Sequence, residues 1–273
     1  MKIKDIFLRR LGAAALALTL LMNAAPLSAY AVNDSEGDGA STSDSTDNTA
    51  VTTADNDSSV TALASNSPAL DATAALLVSP DSGMVLYSKN ADQKRYPAST
   101  TKIMTALLTL ENVSNLDETV TSEAVDFENV TADSSNAGIL LGEQVTVRDL
   151  LYALMLPSAN EAAYMLARHV GGSWEQFVDM MNDRAAELGC TGTHFCNPCG
   201  LHEEDHYTTA YDLYRIAKEA MKDVTFRDIV STVQHRMAKT NLHEERIIYT
   251  TNQLIFSSFQ PWSYANCLGI KTG

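Results

Sequence analysis

The chain has 273 residues, of which 45% are hydrophobic and 19% charged, and its 34 acidic and 19 basic side chains give a formal net charge of −15. This acidic balance argues against nucleic-acid binding and against a basic membrane-binding face. The chain is long enough for one domain with a substantial core.

The first 31 residues have the pattern of a secretory signal peptide. Four basic side chains lie among the first ten residues, an apolar run follows over 11–22, and the small-residue pattern Ala29-Tyr30-Ala31 comes next. The apolar run is shorter than the ~20 residues of a membrane-spanning helix, so cleavage after Ala31 is predicted, with an uncleaved anchor as the alternative. The protein is therefore expected to be exported to the extracytoplasmic cell envelope.

Residues 32–68 are predicted to be a disordered acidic linker. They are mostly Ser, Thr, Asp, Asn, Ala and Gly, and they include no Lys, no Arg and no aromatic residue. Such a segment buries too little apolar surface to offset the entropy lost on ordering. The folded domain is expected over 69–273.

A hairpin and five helices are predicted along this domain. Segments 74–78 and 84–87 flank the turn sequence Asp81-Ser82-Gly83, which favours a hairpin. Apolar spacing and caps predict helices over 99–111, 146–156, 158–168, 173–188 and 209–221. Segments Arg246–Tyr249 and Cys267–Lys271 are β-prone. Helices in the middle with strands at both ends predict an α+β fold.

The first motif is the pair Ser99 and Lys102, in the pattern S-x-x-K. Ser99 is the only serine that lies three positions before a lysine. On a helix the two side chains share a face, which places a hydroxyl beside an amine that can take its proton once burial lowers the pKa of the amine. The alternative is that Ser99 is a helix cap and Lys102 is solvated.

The second motif, Ser158-Ala159-Asn160, is placed at a predicted helix start after Pro157. Its serine can relay a proton to a leaving amine, and its asparagine can hold a substrate peptide group. Because Glu161 follows, the segment also matches a capping box, and the two interpretations are compatible.

The third motif, Lys271-Thr272-Gly273, follows a β-prone segment. A cation and a hydroxyl suit a substrate carboxylate, and a glycine lets backbone approach. The alternative interpretation of this segment is a surface turn. The three motifs in this order predict an active-site serine acyltransferase.

From about Ala72 to Gly273 the chain resembles the D-alanyl-D-alanine carboxypeptidases of the low-molecular-mass penicillin-binding protein family. Segment 96–105 resembles the family's nucleophile segment, and 197–202 with 206–213 resembles a stretch between its second and third motifs. The resemblance implies a β-lactamase-like fold, with a helical subdomain and an antiparallel sheet packed by helices. It also implies no cofactor and no metal, with peptidoglycan stem peptides and β-lactams as ligands.

The resemblance further implies that the terminal D-alanine is removed from stem peptides through an acyl-enzyme. Ser99 is then the nucleophile and Lys102 the proton acceptor, with Ser158 as a further catalytic residue. The residues assigned to substrate binding are Asn160, Lys271 and Thr272.

The resemblance also implies strands, a closing helix and a membrane-associating segment beyond Gly273. A second oxyanion donor is expected just after K-T-G, and losing one such donor costs about 10²–10³ in rate. The domain is therefore predicted to be incomplete, to fold poorly and to turn over slowly.

Two other functions share parts of this pattern. A serine β-lactamase uses the same acylation, but S-A-N in place of S-D-N argues against it. A non-catalytic envelope protein that binds β-lactams or cell wall is the other alternative, and the intact catalytic side chains argue against that.

The segment His202-Glu203-Glu204-Asp205-His206 also matches the zinc pattern H-E-x-x-H, which needs both histidines on one helical face. Pro198 and Gly200 lie just before it and no apolar stripe surrounds it, so a structural loop is preferred. The four cysteines, at positions 190, 196, 199 and 267, are compatible with free thiols or with a disulfide such as Cys196–Cys199.

Overall fold

The computed structural model of this chain describes residues 68–131, 133–255 and 263–273. The predicted signal peptide over 1–31 and all but the last residue of the predicted linker over 32–68 lie outside the described residues. Within the described part, every helix is too short or too polar to cross a bilayer.

The described chain begins with the predicted hairpin. Strand β1 (Ala75–Val78) pairs antiparallel with β2 (Val85–Lys89). Gly83 makes the turn possible because its φ of +71° is costly for a residue with a Cβ. The N–H of Ser79 donates to the carbonyl of Met84 at 2.9 Å and closes the loop.

Helix α1 (Lys102–Asn112) continues a 3₁₀ turn over Ala98–Thr101, which confirms the helix predicted from its apolar stripe. Every residue from 102 to 109 is buried. Two polar residues in this run satisfy their hydroxyls internally: Thr105 donates to the carbonyl of Pro198 at 2.6 Å and Thr109 to that of Thr105 at 2.8 Å. The helix therefore lies inside the domain without orphaned donors.

Three more predicted helices follow, α2 (Val147–Met155), α3 (Asn160–Gly171) and α4 (Trp174–Glu187). Thr146 and Ser173 cap α2 and α4, as their sequences predict. Helix α3 packs against α1, α2 and α4, and its residues 162–167 are at most 2% exposed. Each large apolar side chain buried in this way contributes about 1.5–3 kcal/mol.

Helix α5 (Ala210–Ala220) follows the cap Thr209, as predicted, and packs on α1 and β1. Helix α6 (Val224–Val230) was not predicted from the sequence. Asp223 caps it by accepting from the N–H of Phe226 at 2.8 Å, and it buries Phe226, Ile229 and Val230.

The remaining strands form two further antiparallel pairs in the described part. Strand β3 (Thr119–Thr121) pairs with β4 (Gln144–Thr146), and β5 (Gln234–Met237) pairs with β6 (Arg246–Tyr249). Of these, only β6 was predicted. The combination of helices with antiparallel strand pairs is the predicted α+β fold.

The strand predicted over Cys267–Lys271 is not formed in the structure. Instead, the N–H of Cys267 donates to the carbonyl of Tyr264 at 2.9 Å, in a turn. A β-prone composition becomes a strand only where a neighbouring backbone pairs with it, and this segment pairs with none of the described residues.

Candidate active site

Ser99 lies on the 3₁₀ turn that leads into α1 and is partly exposed. The turn is held by Thr100, whose hydroxyl donates to the carbonyl of Pro97 at 2.6 Å. Ala98, just before the nucleophile candidate, has a φ of +47°, which is strained for a residue with a Cβ. The backbone is thus bent so that Ser99 stands at the N-terminal end of a buried helix.

Lys102 lies one turn further along and is completely buried. Its Nζ lies 3.1 Å from Ser99 Oγ, and it donates to Asn160 Oδ1 at 2.8 Å and to the carbonyl of Cys199 at 2.6 Å. A carbonyl and an amide oxygen can only accept, whereas a hydroxyl can also donate. As an ammonium, Lys102 donates to all three oxygens. In its neutral form the amine has two hydrogens and one lone pair, so with its hydrogens on the carbonyl and amide oxygens its lone pair faces Ser99.

The protonation of Lys102 follows from this burial. Removal from water disfavours the ammonium and lowers its pKa to about 8, although the charges of Cys199 and Glu161 act in the opposite direction. The pKa of an ordinary lysine is about 10.4, so near neutral pH a much larger fraction of Lys102 is in the neutral form than of an ordinary lysine. The predicted pairing of a serine with a basic amine is what the geometry provides.

Asn160 reaches this site from the start of α3, and Glu161 fixes that start. The N–H of Asn160 donates to the carbonyl of Ser135 at 2.9 Å, and Glu161 accepts from the N–H of Ala137 at 2.6 Å. Burial raises the pKa of Glu161, although the hydrogen bonds that its carboxylate accepts act in the opposite direction. Both bonds tie the loop before β4 to α3 and so fix the amide that contacts Lys102.

Ser158 is near this site but does not cap the helix, so the predicted cap and helix start are wrong. It has a φ of +68°, and α3 begins two residues later, after Ala159. A residue in the left-handed region cannot adopt the extended backbone of an N-cap. Within the described part, the buried Ser158 Oγ has no hydrogen-bond partner.

The third motif contacts the nucleophile turn, which is the 3₁₀ turn over Ala98–Thr101 that carries Ser99. A Cβ on Gly273 would lie 3.1 Å from Thr100 Cγ2 and 3.2 Å from the carbonyl oxygen of Pro97. Lys271 is largely buried, and burial together with the charge of Lys102 lowers its pKa to about 7. Its Nζ donates to the carbonyl of Thr272 at 2.7 Å. This segment therefore brings a second lysine within electrostatic range of the first.

Thr272, the other predicted ligand in this segment, places its hydroxyl 2.6 Å from that of Thr251. Beside the segment is a depression of about 370 Å³ that borders the site through Thr100 and Lys271. It does not include Ser99, Lys102 or Asn160. The depression therefore lies beside the reactive groups and does not enclose them.

One partner of Lys102 was not identified from the sequence. The carbonyl of Cys199 comes from the loop over 196–201, which runs against the nucleophile turn. Gly200 has a φ of +90°, and a Cβ there would overlap the carbonyl oxygen of Ala98. The Asn197-Pro198 sequence followed by Gly200 indicates a tight turn. The sequence does not indicate which backbone carbonyl accepts a hydrogen bond from Lys102, because every residue has one.

The two histidines of the H-E-x-x-H pattern lie apart, outside any helix. His202 is exposed and makes an edge contact with Tyr96, at 4.4 Å between ring centroids. His206 is buried; its Nδ1 accepts from the N–H of Cys196 at 3.1 Å, so its Nε2 carries the proton and donates to Thr101 at 2.8 Å. Burial lowers the pKa of His206 to about 4. The pair is part of the loop's packing, as preferred above.

The cysteines have free thiols. Burial raises the pKa of Cys190 to about 11 and also raises that of Cys199. Neither thiol is therefore activated as a nucleophile.

Comparison with known proteins shows that the chain is similar to one family model and to several named proteins of that family. Residues 61–273 match the family model described as D-alanyl-D-alanine carboxypeptidase. The chain is 37% identical over 207 residues to D-alanyl-D-alanine carboxypeptidase DacF of Bacillus subtilis, which covers 75% of this chain and 51% of that protein. It is 38% identical over 210 residues to D-alanyl-D-alanine carboxypeptidase of Streptomyces sp. strain K15, covering 74% and 72%.

Solved structures show the same similarity. The crystal structure of the Streptomyces K15 DD-transpeptidase superposes with a TM-score of 0.69 at 37% identity, over 76% of this chain and 82% of that one. D-alanyl-D-alanine carboxypeptidase from Mycobacterium tuberculosis H37Rv superposes with a TM-score of 0.63 at 33% identity, over 70% and 72%. The chain spans about half the length of the Bacillus relative.

Proposed function

Because this chain belongs to the D-alanyl-D-alanine carboxypeptidase family, we propose that it removes the terminal D-alanine from peptidoglycan stem peptides and is acylated by β-lactams. The observation that carries the proposal is the buried amine of Lys102, whose Nζ is held by two acceptors and lies 3.1 Å from Ser99 Oγ. Its place of action is the extracytoplasmic cell wall, where the substrate of the family lies.

In the proposed first step, Lys102 takes the proton of Ser99 as Oγ attacks the carbonyl carbon of the last peptide bond. The negative charge then develops on the former carbonyl oxygen, near the N-terminus of α1, where the backbone N–H of Ser99 and the helix dipole stabilise it. When the C–N bond breaks, the proton passes to the nitrogen of D-alanine, which leaves as the free amino acid.

The second step returns the enzyme to its starting state. Water attacks the ester carbon, its proton goes to Lys102, and Ser99 recovers a proton as the ester C–O bond breaks. We assign the relay of these protons to Ser158, and the support for this role is that its buried hydroxyl has no hydrogen-bond partner among the described residues.

The remaining residues bind substrate. Asn160 uses Oδ1 for Lys102, which leaves its Nδ2 to donate to a substrate carbonyl. The Lys271 ammonium and the Thr272 hydroxyl match a terminal carboxylate, which is the group that defines a carboxypeptidase substrate.

The function is tested by incubating the chain with a peptide that ends in D-Ala-D-Ala and measuring free D-alanine, with fluorescent penicillin labelling in parallel. We expect D-alanine release and a long-lived covalent adduct, while a peptide ending in L-Ala-L-Ala serves as the control and releases nothing. Rapid penicillin turnover would instead indicate a β-lactamase, and an adduct without D-alanine release a binding protein.

The pH dependence of kcat/KM follows from the two lysines. Lys102 acts as a neutral amine, so the rate rises as pH increases through about 8. Lys271 acts as a cation, so binding is lost as pH increases through about 7. Both conditions together predict a bell-shaped profile with its maximum between these values.

A peptide amidated at its C-terminus is the matched control for this profile. It has no carboxylate for Lys271, so its slower hydrolysis is expected to keep the rise with pH and to lose the fall. A profile that stays flat across this range for both peptides would contradict the roles of both lysines.

A further inference from the structure

The carbonyl of Cys199 is held on Lys102 by a loop that one side chain organises. Asn197 is 2% exposed, and its Oδ1 accepts from the N–H groups of Gly200 at 2.8 Å, Leu201 at 3.1 Å and Cys199 at 3.3 Å. Its Nδ2 donates to the carbonyl of Leu201 at 2.8 Å and to Glu203 Oε1 at 2.9 Å. The amide thus uses both ends to fold the five residues 197–201 around itself.

The position of this loop is fixed from two further sides. Gly200 lies against the carbonyl of Ala98, where only a glycine fits. The carbonyl of Pro198 accepts from Thr105 on α1 at 2.6 Å. The carbonyl between them, that of Cys199, therefore has little freedom and lies where Lys102 donates to it.

We propose that Asn197 is a positioning residue for acylation, and that it acts by holding the Cys199 carbonyl against Lys102. The proposal rests on the proposed function of Ser99 and Lys102. The amine of Lys102 has two hydrogens to place, and only when both Asn160 and Cys199 accept them does its lone pair face Ser99. Without the loop, one hydrogen of the amine has no fixed acceptor, and the lone pair is no longer directed at Ser99 Oγ.

Substitution Asn197→Ala tests this step in the full chain. With a β-lactam probe, the acylation rate constant and the dissociation constant of the noncovalent complex are measured separately. We expect the rate constant to fall by about 10²-fold, the effect typical of misplacing a reacting group by about 1 Å, with the dissociation constant unchanged. An unchanged rate constant would overturn the proposal.

Asn182→Ala is the matched control for loss of a structural amide. Asn182 accepts from the N–H of Phe195 at 2.8 Å and donates to the carbonyls of Phe195 and Val178, and none of these hydrogen bonds involves residues 197–201. The melting temperature of this variant is expected to fall as in Asn197→Ala while its acylation rate constant stays at the parent value. An equal loss of rate in both variants would make the effect one of general stability and would overturn the proposal.

A conservative rescue keeps the test decisive if Asn197→Ala does not fold. In the double variant Asn197→Asp with Glu203→Gln, a carboxylate oxygen still accepts from the three N–H groups, and the side-chain amide introduced at position 203 donates to the carboxylate, so only the bond to the Leu201 carbonyl is lost. We expect it to fold and to retain most of the parent acylation rate, and a loss of about 10²-fold in the folded double variant contradicts the proposal. If the parent chain itself is not labelled, the proposed function fails, whereas labelling of parent and Asn197→Ala at equal rates refutes this inference alone.

Discussion

Substitution Lys102→Met is expected to reduce the rate of acylation by penicillin by about 10²–10⁴-fold, the usual contribution of a general base. Methionine has a similar length and is readily buried, but it has no lone pair able to take the proton of Ser99. The remaining hydroxyl is protonated at neutral pH and is a weak nucleophile. The rate is measured by the time course of fluorescent penicillin labelling.

The stability of this variant separates a chemical effect from a folding one. Asn160 Oδ1 and the Cys199 carbonyl lose a donor, which costs about 1–3 kcal/mol per unpaired buried group, while the cost of burying the amine disappears. Lys239→Met is the matched control because Lys239 is exposed and, among the residues that the structure describes, its ammonium pairs with Glu244 alone. It should label at the parent rate, and similar rates for the Lys102 variant and the control would contradict a role for Lys102 in proton transfer.

Substitution Ser99→Ala is expected to abolish covalent labelling, because the adduct is an ester of its Oγ. Loss of a catalytic nucleophile reduces turnover by about 10⁶-fold in serine peptidases, so hydrolysis of a D-Ala-D-Ala peptide should also be undetectable. The fold should persist, since Ser99 is partly exposed and its hydroxyl makes one hydrogen bond within the described part, with Lys102.

Ser173→Ala provides the control for removing a hydroxyl elsewhere. Ser173 caps α4, so its loss costs about 1 kcal/mol of stability without touching the site. Labelling should remain at the parent level in this variant. Labelling of Ser99→Ala at the parent rate would assign the nucleophile to another residue.

Five of the six described α-helices, all but α6, were predictable because their signals are local. Thr146, Ser173 and Thr209 cap the helices that the sequence places after them, and the apolar stripe of α1 is fully buried. Strands β3 and β4 were missed because each is only three residues long and depends for its pairing on a segment distant in the sequence. Cys267–Lys271 shows the converse, since its β-prone residues form no strand in the described part.

The reactive pair was predictable from spacing, whereas its surroundings were not. Ser99 and Lys102 lie on one helical turn, so i,i+3 geometry brings them together. The approach of Asn160 depends on packing of α3 against α1, and the carbonyl of Cys199 carries no side-chain signature. Ser158 was mistaken for a cap because its composition suits one while its backbone, at φ +68°, does not.

The predicted signal peptide and linker lie outside the described residues and stay predictions.

The most direct test of the account is to locate the β-lactam adduct by mass spectrometry after tryptic digestion. Cleavage after Arg95 and Lys102 releases a peptide over 96–102, in which Ser99 is the predicted site. The account predicts that this peptide carries the mass of the opened β-lactam and that fragmentation places it on Ser99. An adduct on any other residue, or an unmodified peptide from protein that has bound penicillin covalently, would contradict it.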